Sequence, residues 1–259
     1  MMKTLMTSFL LLLFSSPFAG AQNAPPDYSQ LDGRPYDPKT DPNIDMFISS
    51  WREGTPYQTY GALLERDILT KLQGDPVRPS ARGAVLQSLN RLTYAMLQER
   101  TSTRPSTLKG EQAVFYIDSG HGTIRAGGKS FPLHKGVGVL VPAGLEFTLS
   151  NPGDSLLTLY VMAEPVGEGF KSARELIVKD ENTIPVGTTK SHWSHILRVM
   201  FYRDDPLARM YGLCPVWFAP MTMGQPHSHN LPGEEIWFVV EGEITVLLGK
   251  QLRKLTPGM

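Results

Sequence analysis

The sequence predicts an all-β fold, and three observations support that prediction. From about residue 44, short apolar runs alternate with turn-forming Gly, Pro, Asn and Asp, as at 114–120, 137–144 and 156–165. Strands joined by turns in a sandwich or barrel have this texture. Helical periodicity is weak, and its strongest candidate, residues 61–73, fits a strand equally well. The third observation is an internal repeat, which indicates two copies of one β unit.

The repeat appears when the chain is shifted by 122 residues against itself, and no gap is needed. The coinciding positions are mainly turn glycines and apolar strand residues: Gly120 with Gly242, Thr123 with Thr245, Gly127 with Gly249, Leu133 with Leu255, Gly136 with Gly258, and Phe115-Tyr116 with Trp237-Phe238. We therefore expect an N-terminal domain over residues 43–165 and a C-terminal domain over residues 166–259.

The first 21 residues have the three parts of a secretory signal peptide. Lys3 is followed by an apolar run over residues 10–14 and then by the small residues Ala19-Gly20-Ala21, so we expect cleavage before Gln22. The apolar run is shorter than the roughly 20 residues that a transmembrane helix needs. The sequence thus predicts export to the periplasm or the medium, with no membrane anchor after cleavage.

Residues 22–42 are rich in Pro, Asp and Gly and are expected to form a flexible linker. Basic and acidic residues balance at 25 each, and removal of the signal peptide takes away only Lys3. Because no basic stripe is present, nucleic acid is excluded as a partner. The single cysteine, Cys214, stands among apolar neighbours and is expected to be buried.

A compact group of metal-ligating side chains lies at residues 227–235. His227 and His229 are two residues apart, so on a strand their imidazoles project from the same face. Turn-forming Asn-Leu-Pro-Gly follows, and Glu235 comes next on the returning strand. Glu234 is the rival carboxylate, but Glu235 shares strand parity with Trp237. These residues predict a metal site; the alternative is a surface histidine pair beside a solvated turn.

Two half-motifs resemble the signatures of the cupin superfamily. The second copy reads His227-x-His229, five residues, Glu235, six residues, Gly242, which is similar to the first cupin signature. The first copy reads Gly136, five residues, Pro142-x-Gly144, two residues, Phe147, three residues, Asn151, which is similar to the second signature except that cupins place a histidine at the position of Phe147. The resemblance covers roughly residues 85–165 and 195–259. It implies two tandem double-stranded β-helix (jelly-roll) barrels.

The resemblance also implies that the two barrels differ in metal binding. In the C-terminal barrel, His227, His229 and Glu235 would hold one divalent transition metal, which ligand type alone leaves open among Fe, Mn, Zn, Ni and Cu. In the N-terminal barrel, the four ligand positions carry groups that bind no metal well: Pro105, Thr107, Ala113 and Phe147. We expect that barrel to be metal-free and filled by apolar side chains such as Phe147.

The C-terminal barrel is expected to be incomplete. Roughly 30 residues after Gly136 complete the first copy, whereas Gly258 is followed by Met259 alone. The sequence therefore predicts a truncated second barrel, from a longer two-barrel protein, that lacks the final strands and a fourth ligand histidine.

Two functions follow from the resemblance. The first is a metal-dependent enzyme on a small polar metabolite, of the dioxygenase, isomerase, lyase or aminohydrolase type. The second is a non-catalytic ligand-binding or sensor module. Either takes a small molecule as its partner, and the pattern also allows a homo-oligomer.

The other histidines are weaker candidates for metal ligands. His121 and His134 are expected to be solvated, and His192 and His195 would point to opposite faces of a strand.

Overall fold

The computed structural model describes residues 41–187, 196–224 and 234–259, together with the backbone of residues 8–15. This part of the chain is all-β, as predicted; its only helices are two short 3₁₀ segments, Asp41–Phe47 and Glu181–Thr183. Across the described ranges, no helix has the length and apolar character needed to cross a bilayer.

Twenty strands account for most of the described residues. They are β1 (Ser8–Ser15), β2 (Tyr57–Thr59), β3 (Leu63–Lys71), β4 (Gly74–Asp75), β5 (Arg78–Pro79), β6 (Ala84–Leu86), β7 (Arg91–Leu97), β8 (Thr101–Ser102), β9 (Glu111–Ser119), β10 (His121–Ala126), β11 (Lys129–His134), β12 (Val137–Val141), β13 (Phe147–Asn151), β14 (Leu157–Pro165), β15 (Ile177–Asp180), β16 (Ile196–Leu197), β17 (Met210–Phe218), β18 (Glu234–Glu241), β19 (Ile244–Leu248) and β20 (Gln251–Leu255).

Two facing sheets form what we call the first barrel. One runs β15-β12-β9-β14-β7-β3-β2, with β6 added beside β3, and the other runs β11-β10-β13-β8. Period-two burial turns their apolar residues inward, as in β13, where Phe147, Leu149 and Asn151 are buried and the residues between them are partly exposed. The enclosed core is almost entirely aliphatic and aromatic.

The segment at residues 61–73, which fitted either a helix or a strand, contains strand β3. Leu63–Lys71 pairs with β2 on one side and with β7 on the other. Leu63 and Glu65 are fully buried while Leu64 between them is partly exposed, so the alternation of a strand prevails over the weak helical pattern. Sheet pairing on both sides fixes that choice.

Strands β4 and β5 form a separate two-stranded sheet, and the remaining strands form what we call the second lobe. It consists of a sheet ordered β16-β17-β1-β18 and the hairpin β19-β20. Strands β18, β19 and β20 match β9, β10 and β11 at the 122-residue shift to within one residue at each end. The turn glycines match as well: φ is 84° at Gly120 and 75° at Gly242, a left-handed conformation that favours glycine.

A shared apolar layer joins the first barrel to the second lobe. Tyr94, Tyr116 and Tyr160 on the outer face of the first barrel pack in one cluster with Ile236 and Phe238 of β18. The rings of Tyr160 and Phe238 have their centroids 4.4 Å apart. Because alternate residues of a strand face opposite sides, this packing turns the other face of β18 toward the core of the second lobe.

Candidate metal site

The candidate metal site is only partly within the described residues. His227 and His229 lie outside them, so their positions as ligands stay a prediction. Glu235 is the second residue of β18 and is half-buried. The structure therefore bears on the carboxylate of the predicted ligand set.

The two adjacent glutamates at the start of β18 face opposite sides. Glu234 accepts hydrogen bonds from the backbone amides of Gln87 (2.9 Å) and Ser88 (3.0 Å), so it faces the first barrel. Glu235 falls on the alternate face with Trp237, which packs against the core of the second lobe. Glu234 is thus engaged in a structural contact, and Glu235 has the strand parity that the predicted metal site requires.

The core of the second lobe is an apolar surface next to Glu235. It contains buried Cys214, Val216, Val239 and Leu255, with Trp237 packed against them. Cys214 is 4% exposed, as the sequence predicted, and burial raises the pKa of its thiol to about 12. Burial thus favours the neutral thiol over the thiolate.

The corresponding interior of the first barrel is filled. Ala113, which matches Glu235, is fully buried, and Phe147 is 1% exposed. The Phe147 ring meets the rings of Phe115 and Tyr60 edge-on, at centroid distances of 5.6 and 5.3 Å. Aromatic packing thus occupies the centre, where the resemblance places the fourth cupin ligand.

The other histidines that the structure describes lie at the surface of the first barrel. His121 and His134 are opposite each other in the β10-β11 hairpin. The Nε2 atom of His134 is 3.3 Å from a carboxylate oxygen of Asp180. Among the described residues, no group of three or more His, Cys, Asp or Glu side chains is arranged to hold a metal ion.

Buried carboxylates are the polar feature that sequence reasoning missed. Glu164 is fully buried and accepts from the amides of Ala208 (2.8 Å), Arg209 (2.5 Å) and Met210 (2.5 Å), and from the side-chain amide of Gln112 (2.7 Å). It fixes the loop that leads into β17. The available signal was a lone charge ending the apolar run of β14.

Glu164 and Glu234 perform equivalent tasks in the two halves of the molecule. At the 122-residue shift, the amides of Arg209 and Met210 correspond to those of Gln87 and Ser88. Each carboxylate accordingly binds the loop that precedes β17 or β7. These glutamates stabilise the contact between first barrel and second lobe, and neither is a candidate catalytic group.

One protein-family model matches part of the first barrel. Residues 94–163, from β7 to β14, match the family model described as Cupin_2, a cupin domain. Over this span the chain is similar to cupin domains. No curated protein sequence matches the chain.

Several solved structures resemble the chain, each at low identity. A putative glyoxylate-induced protein from Pseudomonas aeruginosa is 13% identical over 58% of this chain and 53% of its own, with a TM-score of 0.47. A predicted oxalate decarboxylase from Thermotoga maritima is 18% identical over 46% of this chain and 99% of its own, with a TM-score of 0.38. Ylba from E. coli is 11% identical over 73% of this chain and 88% of its own, with a TM-score of 0.42.

The chain thus spans about half the length of the Pseudomonas protein. Likeness at these levels concerns architecture and says nothing about activity.

Proposed function

We propose that the chain is a cupin-type protein that binds one divalent transition metal in its second lobe. The ligands are His227, His229 and Glu235, and the metal is Fe, Mn, Zn, Ni or Cu, which two imidazoles and a carboxylate suit. The observation that supports this set is the position of Glu235 on the inner face of β18, while its neighbour Glu234 is bound to the first barrel.

We further propose that the metal serves an enzyme acting on a small polar metabolite, with the reaction type open among oxygenation, isomerisation, elimination and hydrolysis. A bound metal would supply a Lewis acid for substrate oxygens or activate water. Trp237, Val239 and Cys214 would form an apolar wall beside Glu235. Such a wall limits the access of water and strengthens electrostatic interactions at the site.

The metal content of two neighbouring variants tests the site. Glu235→Gln removes a ligand charge on the inner face, and we expect the affinity for the metal to fall on the order of 100-fold or more. Glu234→Gln is the matched control, one residue away on the other face, and should keep its metal. Elemental analysis of the full chain, purified without metal-affinity resin, gives the readout. Equal metal content in the two variants would refute the assignment of Glu235.

A second candidate function, ligand binding without catalysis, is favoured by a cavity on the first barrel. The cavity has a volume of about 250 Å³, with an apolar floor from Phe131, Leu145 and Leu176. Arg174 lines it as well, and so does the ion pair of Lys129 with Glu175. The guanidinium of Arg174 suits a small ligand with a carboxylate and an apolar body. We expect Arg174→Ala to weaken binding of benzoate roughly two- to fivefold in a calorimetric titration, because Arg174 is exposed. Unchanged binding would count against this candidate.

The N-terminal segment supports a proposal about location. We propose that residues 1–21 direct export to the periplasm or the medium and are then removed. N-terminal sequencing of the protein from the exported fraction should begin at Gln22. A mature chain that still carries Lys3 would contradict the proposal.

A further inference from the structure

The central place in the sheet of the second lobe is taken by the N-terminal segment. Strands β17 and β18 do not pair with each other, because β1 lies between them and runs antiparallel to both. In the first barrel the matching strands β7 and β9 are separated in the same way by β14, which is antiparallel to both. Strand β1 therefore occupies the place in the second lobe that β14 occupies in the first barrel.

The register of β1 reproduces that of β14 on the β18 side and differs from it by one residue on the β17 side. Ser15 lies opposite Glu234 as Glu164 lies opposite Gln112, and these two partners match in the repeat. On the other side, Leu13 lies opposite Leu213 as Met162 lies opposite Leu92, and Leu213 and Leu92 belong to the same apolar layer.

One irregularity of the two strands coincides as well, although β1 also shifts against β17 between Phe14 and Ser15, whereas β14 pairs with β7 without a shift. The pairing of β1 with β18 shifts between Phe9 and Leu10, and the pairing of β14 with β9 shifts between Thr158 and Leu159. Counted from Ser15 and Glu164, these are the same positions. The space between β17 and β18 thus specifies the backbone path of its occupant, including a bulge.

An empty space at this position would be costly. The facing amides and carbonyls of β17 and β18 would lose their hydrogen-bond partners, and buried backbone groups without partners are strongly unfavourable. Unpaired strand edges also recruit other strands. The sequence predicts that the same N-terminal segment is removed on export. Strand β1 would then occupy its place in the sheet only before cleavage.

We propose that the space between β17 and β18 is a binding site for one apolar β-strand, and that Ser8–Ser15 of the same chain is its exchangeable occupant. The site recognises strands of the β14 type, which are apolar and pair antiparallel on both sides. Removal of residues 1–21 opens the site to another such strand; only this release step rests on the proposed export.

The single cysteine provides a direct test. Leu12 lies opposite Cys214 in the register of β1 with β17. Opposite residues of antiparallel strands have Cα atoms about 4.5–5.5 Å apart, which is within reach of a disulfide. In the full chain, Leu12→Cys should therefore form an intramolecular disulfide with Cys214 on mild oxidation.

A neighbouring substitution is the matched control. Leu11→Cys carries the same new thiol one residue away, opposite Pro215, and should cross-link roughly tenfold less because its geometry is wrong. Non-reducing electrophoresis with peptide mass mapping measures both products. A peptide with the sequence LTLYVMAEP, taken from β14, should lower the yield of the Leu12→Cys cross-link as its concentration rises, and a scrambled peptide should not.

Several results would overturn the proposal. Equal cross-linking of the two variants would show that β1 does not hold this register. A cross-linked dimer in place of a monomer would show that a second copy supplies the strand. Failure of the β14 peptide to compete would show that the occupant is not exchangeable.

A measurement without any substitution covers the case in which the variants fold poorly. Hydrogen exchange of the unsubstituted full chain should show the amides of β17 and β18 as protected as those of β7 and β9, which β14 holds in the first barrel. Rapid exchange of β17 and β18 alone would overturn the proposal.

Discussion

The first barrel and the second lobe are built on one strand plan but differ in what their cores contain. Strands β9 to β11 and β18 to β20 match in position, and the glycines of their turns share left-handed backbones. Inside, the first barrel buries Phe147 and Phe115, whereas the second lobe presents Glu235 beside an apolar wall. The arrangement of strands is therefore the same although the core side chains differ, because turns and strand pairing depend on the identity of only a few residues.

The contacts around two matching turns show the same principle. Gly136 accepts a backbone hydrogen bond from Glu181, and Gly258 accepts one from Trp51, at 3.0 and 3.2 Å. The turn geometry is the same, but the segment packed against it differs. The two halves of the repeat thus share the backbone geometry of this turn but differ in the segment that packs against it.

The largest effect is expected where the first barrel depends on its filled centre. Phe147→Ala leaves a cavity among fully buried side chains, and truncation of a buried phenylalanine costs about 3–5 kcal/mol of unfolding free energy. Leu247→Ala, at a half-exposed position of the second lobe, is the control and should change stability by less than about 0.5 kcal/mol. Urea unfolding measures both, and similar values would show that the centre is loosely packed.

A smaller difference is expected between the two equivalent carboxylates. Glu164→Gln places an amide NH₂ group among backbone donors in a fully buried site, at a cost of about 3 kcal/mol. Glu234→Gln affects two amides at a half-buried position and should cost about 1 kcal/mol. Thermal unfolding of the two variants compares them. A larger loss of stability for Glu234→Gln than for Glu164→Gln would show that Glu234 makes the stronger contact between the first barrel and the second lobe.

The sequence predicted the fold better than it predicted the contacts between the two halves. Turn glycines and alternating apolar residues are local signals, so the all-β class and the matching strands could be inferred from them. The position of Glu164 depends on the loop at Ala208–Met210, which is distant in the chain. No local pattern indicates that a terminal glutamate of an apolar strand will be buried among the amides of another segment.

At the candidate site, too, features set by neighbouring residues could be predicted from the sequence, and contacts with distant segments could not. Strand parity with Trp237 and the six-residue distance to Gly242 favoured Glu235 over Glu234, and both are local properties of the sequence. That Glu234 binds the amides of Gln87 and Ser88 could not be inferred, since those residues are far away in sequence. The pairing of β1 with β17 and β18 was missed for the same reason: the apolar character of residues 10–14 also suits a signal peptide.

The smallest effect on stability is expected at Glu181, which packs against the turn at Gly136. Burial raises the pKa of Glu181 above 4.5, and the hydrogen bond from Tyr116, with the charges of Arg198 and Lys135, opposes that rise only in part. Because the folded-state pKa exceeds the unfolded value, ionisation opposes folding. This cost is absent below the unfolded pKa and develops as pH rises through the folded pKa.

Glu181→Gln should remove this pH dependence, because the amide oxygen still accepts from the Tyr116 hydroxyl while no charge is buried. The melting temperature of the variant minus that of the parent should therefore increase between pH 4 and pH 7.5. Glu168→Gln, at an exposed position, is the control and should give a difference that stays flat. At Gly258 the nearest side chains are those of Trp51 and Arg52, whereas the side chain of Glu181 is nearest to Gly136. A flat difference for Glu181→Gln would mean that this carboxylate is hydrated in solution, and that the two turns do not differ in this respect.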